Sequence, residues 1–306
     1  MESNAFSVFM TSSLKIKFRR CRPLLGTFVE ITATGSDAAQ TNAAIDAAFA
    51  AVERVQQLMS FHDIDSEVSR LNRQAARQPV RVAVETYQVL ECAKELHDRT
   101  CGVFDIAVAP ELMRWGLLPR HSFSRARARH GGRTRDIALL PGRRVRFRRP
   151  LQLDLGGIAK GFAVDRAVET LRAGGVGAGL VNAGGDLRCF GDEEQLVWVR
   201  HPLTRGALLQ LPVLKNTALA TSANSYQRQR RRGRAVCAQV HGRTRRPLLR
   251  SFSVSVCART CQIADVLTKV VLALGDDSAP ALAEFGAAAF IVHADDRMTC
   301  CGGRGT

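Results

Sequence analysis

The chain reads as an α+β fold of mixed or antiparallel sheets with packed helices, because helical stripes and strand runs are interspersed without a regular strand–helix repeat. Val29 and Ile31 alternate as a strand near the start. Ala44, Ile45, Ala48, Phe49, Val52, Val55 and Met59 then recur at helical spacing. Val254 with Val256, and the run 290–292, give further strands. No solenoid period or heptad seam interrupts this. With 306 residues, 46% of them hydrophobic, the chain can bury roughly three quarters of its unfolded surface. One domain over 22–299, with two intimately joined lobes as its alternative form, is expected. Residues 1–21 are expected to be a poorly ordered extension and 300–306 a tail.

Residues 154–165 read Asp-Leu-Gly-Gly-Ile-Ala-Lys-Gly-Phe-Ala-Val-Asp. Leu151, Leu153 and Leu155 alternate as a half-buried strand would, and Val164, Ala167, Val168 and Leu171 follow at helical spacing. Gly156 and Gly157 therefore stand where a strand hands over to a helix. Such a turn lets backbone approach a ligand, and the helix N-terminus offers unpaired N–H groups to an anion. The plainer reading is a tight packing turn. Neither the dinucleotide fingerprint nor the P-loop spacing is present. A second glycine turn, Asn182-Ala183-Gly184-Gly185-Asp186, follows the apolar Leu180 and Val181. Parallel and antiparallel arrangements of the flanking strands both remain open, and in either the two turns can meet at one ligand.

In residues 263–275, Val266, Leu267, Val270, Val271 and Leu274 form an apolar helical stripe. Asp265, Thr268 and Lys269 share the adjoining face, so a carboxylate can meet a hydroxyl or an ammonium there. A helical ion pair on a solvated face is the plain alternative.

These residues carry a family resemblance. The two glycine turns, Gly-Val-Phe-Asp at 102–105 with Pro110 and Trp115-Gly116, Leu25-Gly26-Thr27, and Ser66-Glu67 with Arg70-Leu71-Asn72 occur in order. Together they resemble the FAD:protein FMN transferase family, the ApbE-type flavin transferases, from residue 22 to the late 290s. The resemblance implies an enzyme that uses magnesium, or manganese, to cleave FAD, transfers FMN to a threonine or serine hydroxyl of an acceptor protein, and releases AMP. It assigns FAD contacts to Leu25, His62, Val103, Phe104, Asp105, Gly156, Gly157, Lys160, Phe162, Asp186 and Val240. It assigns metal ligation to Asp265 and the Ala159 carbonyl.

Several positions depart from the family's pattern. Where the pattern places a second metal-binding threonine, four residues after the aspartate, this chain has Lys269. Because an ammonium cannot ligate magnesium, Thr268 substitutes, water fills the gap, or Lys269 supplies part of the cation's charge. The pattern Asp-Pro-x-Thr-Gly-x-Pro becomes His241-Gly242-Arg243-Thr244-Arg245-Arg246-Pro247, which makes His241, with its near-neutral pKa, a candidate proton carrier. Thr221-Ser222-Ala223-Asn224-Ser225-Tyr226 resembles Thr-Ser-Gly-x-Tyr with an insertion. His62 stands where a tyrosine is usual. A flavin-binding or FAD-hydrolysing relative that has lost acceptor transfer is the alternative these departures raise.

The net charge of +16 raises a rival class, nucleic-acid binding through phosphate contacts. In residues 143–149, however, Val145 and Phe147 alternate with arginines, as in a half-buried strand, and 228–234 reads as a loop. Few aromatics are available to stack bases, so no nucleic-acid partner is expected, and the charge serves capture of anionic ligands such as FAD. The nine cysteines lack a zinc spacing. No signal peptide, lipid anchor or membrane span is visible, which leads to an expected cytoplasmic location.

Overall fold

An eight-stranded antiparallel sheet backed by helices positions the rest of the molecule; the computed structural model describes residues 15–121, 131–204, 206–223, 228–231 and 233–303. Hairpin strands β1 (Ile16–Leu24) and β2 (Thr27–Gly35) lead into α1 (Ala38–Met59), whose start is capped by the Asp37 carboxylate accepting from Gln40 N at 2.9 Å. The whole stripe from Ala44 to Met59 is buried, as its spacing predicts. Then come α2 (Glu67–Gln74), β3 (Val80–Arg81), α3 (Val84–Arg99), α4 (Ala109–Arg114), β4 (Ile137–Leu140) and β5 (Arg144–Phe147). Helix α5 (Ala159–Ala173) precedes the hairpin β6 (Ala178–Ala183) and β7 (Asp186–Phe190), which resolves the open choice there as antiparallel.

The ribbon β8 (Trp198–Arg200) and β9 (Leu208–Gln210), strand β10 (Ala218–Ala223), and the ribbon β11 (Gln229–Arg231) and β12 (Arg234–Val236) follow. Strand β13 (Ser253–Ala258), helices α6 (Cys261–Leu274) and α7 (Ala279–Glu284), and strands β14 (Ala288–Val292) and β15 (Met298–Gly302) complete the order. The large sheet runs β1-β2-β6-β7-β10-β13-β14-β15, every neighbour antiparallel. Helices α1, α5 and α6 pack side by side on one face. A smaller apolar cluster of Leu187, Cys189, Val197, Val199, Leu211, Leu214 and Leu219 joins the β8–β9 ribbon to the sheet.

Four expectations change. Residues 16–21 belong to β1, with Ile16 opposite Gly35, and residues 300–302 belong to β15, so both sheet edges extend beyond the anticipated domain limits. Residues 151–155 are not a strand, although Leu151, Leu153 and Leu155 are buried. Their backbone is satisfied instead by a side chain: Leu153 N donates to Asn72 Oδ1 at 2.7 Å and Asn72 Nδ2 donates to Leu153 O at 3.0 Å. The stretch read as a loop at 228–234 contributes to the β11–β12 ribbon. The arginine-rich β5 does follow its alternation, with Val145 and Phe147 inside and Arg144 and Arg146 exposed. Positions 125–130, part of an arginine-rich stretch that runs to Arg135, and Asn224, Ser225 and Tyr226 lie outside the described residues.

The tightest helix contact is between α5 and α6. A Cβ built on Gly161 would lie 2.4 Å from the Cys261 carbonyl oxygen and 2.7 Å from Gln262 Cα, so only a glycine lets the two backbones approach this closely. Asp165, one turn on, accepts from Cys261 N at 3.0 Å and Gln262 N at 2.9 Å and pairs with Arg188 Nη1 at 2.7 Å. It therefore occupies the orphan donors that begin α6. Gly161→Ala is expected to force the helices apart and lower unfolding free energy by about 2 kcal/mol. Urea unfolding checks this, and an unchanged midpoint would show that the contact is loose.

Candidate active site

A cavity of about 770 Å³ opens above the N-terminus of α5. Its walls come from the β1–β2 turn, the C-terminal end of α1 with residues 60–63, residues 104–108, the glycine turn, and Val240. Leu25 enters at the hairpin turn, where its N–H donates to Gln56 Oε1. Phe104 is fixed by its backbone, whose carbonyl meets His97 Nδ1 at 2.8 Å and whose N–H donates to Thr100 Oγ1 at 3.2 Å. Leu25, Phe104, Leu117 and Val240 give the cavity apolar lining, and Lys160 and Lys269 give it charge.

The floor of the cavity holds a quartet of charges. Lys160, in the first turn of α5, pairs with Asp186, and Lys269 of α6 pairs with Asp265. Lys269 Nζ also donates to the Asp265 carbonyl oxygen at 2.7 Å, while Gly161 N, an orphan donor of α5, is 3.3 Å from Asp265 Oδ2. The exposures are asymmetric: the Lys160 and Lys269 side chains retain 34% and 14%, whereas Asp186 and Asp265 retain 2% and 0%. Carboxylates lie behind, and the two lysines line the cavity. Burial works against charge on Lys160, but Asp186 and Asp265 outweigh it and raise its pKa above that of an ordinary lysine. Burial, reinforced by Asp265, pushes Asp186 up against the pull of Lys160 and Lys269. A Cβ on Gly157 would be 3.7 Å from both Lys269 Cε and Phe104 Cε2, so the glycine turn passes directly between them.

Of the residues singled out from sequence, Leu25, His62, Phe104, Asp105, Gly156, Gly157, Ala159, Lys160, Val240 and Lys269 line this cavity. Asp186 and Asp265 stand immediately behind it through their lysine partners. Val103 and Phe162 are buried in the main core instead. The Asp105 carboxylate is turned inward, accepting from Thr134 Oγ1 at 2.7 Å, Ala107 N at 2.8 Å and Arg245 Nη2 at 3.1 Å. It anchors a loop and leaves no oxygen exposed to a ligand.

Two further expectations are corrected by position. Thr268 is fully buried and does not line the cavity; it donates to the Asp265 carbonyl oxygen at 2.7 Å and lies 2.8 Å from Oγ of Ser222, which does line it. His241 is half-buried away from the cavity lining, and its Nδ1 accepts from Arg243 N at 3.2 Å. Burial and the neighbouring Arg243 lower its pKa, which favours a neutral ring that holds the loop. In that loop Arg245 occupies the position where the family pattern has glycine and keeps a left-handed φ of 59°. Its guanidinium donates to the Ala107 and Gly132 carbonyls at 2.9 and 3.0 Å. The altered loop is therefore tied down by its substituted residue.

The donors here do not suit a hard divalent ion, which takes about six oxygens in near-octahedral order. Asp265 is already engaged by an ammonium and an amide, and the buried Thr268 hydroxyl is engaged by Ser222 and the Asp265 carbonyl. Among the described residues, no group of three His, Cys, Asp or Glu side chains is placed to hold a metal.

Sequence reasoning passed over Asp154 as a site residue. It lines the cavity at the start of the glycine turn, half-buried, with Gly156 N donating to its Oδ1 at 3.3 Å. Burial raises its pKa, moderated by the Gly156 amide and by His62. Gln56 of α1 was also missed, whereas Gly184 of the second glycine turn lines the cavity with the first turn.

Known proteins resemble this chain in sequence and in fold. The ApbE family model matches residues 25–291. The FAD:protein FMN transferase of Rhodobacter capsulatus is 28% identical over 89% of this chain, which spans 54% of that protein's length. The FAD:protein FMN transferase of Vibrio cholerae is 28% identical, covering 76% of this chain and 74% of its own. Among solved structures, the ApbE protein of Thermotoga maritima superposes with a TM-score of 0.80 at 24% identity, covering 93% of this chain and 96% of its own. The flavin transferase ApbE of Vibrio cholerae gives 0.76 at 24% identity, covering 94% and 97%. No helix among the described residues is long and apolar enough to cross a membrane. Fold, glycine turns and family model coincide over nearly the whole length, and the chain belongs to the ApbE family.

Proposed function

We propose that this protein transfers the FMN half of FAD to a threonine or serine hydroxyl of an acceptor protein and releases AMP. The observation that carries the reading is the pair of lysine ammoniums at the glycine turn, facing a cavity with apolar lining. The apolar lining suits the flavin and adenine rings, and the charged floor suits the pyrophosphate between them.

Phosphoryl transfer depends mainly on positioning and on charge neutralisation, so a protein that holds both ends of FAD has done most of the work. Lys160 and Lys269 draw the phosphate oxygens to the floor, at the N-terminal end of the α5 dipole. The acceptor hydroxyl oxygen then attacks the FMN-side phosphorus. A new P–O bond forms as the bond to the bridging oxygen breaks, and AMP departs with that electron pair. Asp154, on the cavity wall, is the residue we assign to take the hydroxyl proton.

Purified protein incubated with FAD and a peptide carrying Asp-x-x-Ser/Thr-x-Ala/Ser-Thr is expected to leave covalent, fluorescent flavin on the peptide. FMN and AMP without labelled peptide would favour the FAD-hydrolysing alternative, and failure to bind FAD would remove both.

A second prediction concerns pH. Asp154 acts as base only when ionised, so activity falls as pH falls through its pKa, and because burial raises that pKa the fall begins at higher pH than for an ordinary aspartate. Asp154→Asn is expected to lower kcat about a hundredfold or more and to flatten the acid limb of the pH–rate profile. A variant with the same limb would assign the proton to another group.

A further inference from the structure

The Lys269–Asp265 pair differs from an ordinary i,i+4 surface pair in being buried at the floor of a ligand cavity. Surface pairs of this spacing contribute little and are easily exchanged for water. Here the carboxylate has no exposure, one of its oxygens is taken by Lys269, the other faces Gly161 N, and the same ammonium is held by the Asp265 carbonyl. The ammonium therefore sits against the carboxylate where a divalent ion would need to bind. A second cation would face its repulsion, and the neighbouring hydroxyl of Thr268 is already engaged by the Asp265 carbonyl and Ser222.

The facing helix repeats the arrangement. Lys160 pairs with Asp186, which is buried on β7. Two ammoniums thus reach the cavity beside the glycine turn, each held from behind by a buried carboxylate. The stem of Lys269 runs beside Gly157, so its charge is delivered next to the backbone donors of that turn.

We propose that Lys269 is the resident cation of this site, taking the place of a divalent metal at Asp265, so that the pyrophosphate of FAD is neutralised by the protein itself. The inference rests on the flavin-transfer reading for the identity of its ligand. It distinguishes among the three possibilities left by the sequence: Lys269 supplies the charge, and neither Thr268 nor water completes a metal shell.

FAD affinity is measured by flavin fluorescence in EDTA and again in millimolar Mg2+, with Mn2+ binding followed by electron paramagnetic resonance. Wild-type protein is expected to bind FAD with affinities agreeing within about twofold in the two buffers, and to leave Mn2+ free. Lys269→Thr, which removes the ammonium and offers a hydroxyl, is expected to bind FAD about tenfold more weakly in EDTA, to recover in Mg2+, and to bind Mn2+. A wild-type protein that binds FAD only with Mg2+, or that holds stoichiometric Mn2+, overturns the proposal while leaving the flavin reading intact. Absence of FAD binding in both buffers overturns the flavin reading and this inference with it. The wild-type measurements decide the matter even where the variant fails to fold.

Discussion

The close crossing of α5 over the start of α6 at Gly161 is the contact on which the site depends. It sets the amide of one helix against the carboxylate of the other, Gly161 N to Asp265, and lets Asp165 cap α6 one turn further along. With the two helices locked in this way, Lys160 and Lys269 emerge side by side at the cavity floor. The large sheet supplies the other partner, because the β6–β7 hairpin places Asp186 behind Lys160. A side chain at position 161 would separate these elements before altering any charge.

Burying four charges is expensive unless each is paired and further hydrogen-bonded. The quartet meets that condition with ion pairs on both sides and with backbone groups from Gly161 and Asp265 itself. Replacing it by apolar residues of similar volume would often be neutral or stabilising, so stability alone does not account for the quartet. The arrangement is electrically neutral at rest. An arriving pyrophosphate meets ammoniums that are partly open to it, while their carboxylates stay behind and hold them in place.

Much of this was legible in the sequence where local pattern and tertiary structure agree. The 44–59 stripe, the 29–31 strand and the turn at 156–157 all lie where spacing puts them. Alternation misled at 151–155, because a buried extended segment whose backbone is satisfied by Asn72 carries the same pattern as a strand. Asp105 and Arg245 show the same limit in the site: a motif identifies them as important, but only the fold reveals that they brace a loop from behind. Thr268 and Lys269 share a helix face in projection, and one residue's rotation buries the first behind Ser222 and brings the second to the cavity. Asp154 was visible as part of a turn, and its burial, which raises its pKa, appears only with the surrounding walls.

The central claim is that the cation beside Asp265 belongs to the protein. A high-resolution crystal structure of the FAD complex grown in Mg2+ tests it most directly. The account predicts Lys269 Nζ within hydrogen-bonding distance of both Asp265 and a pyrophosphate oxygen. An octahedral metal ion bound to the Asp265 carboxylate, with Lys269 displaced, would contradict it.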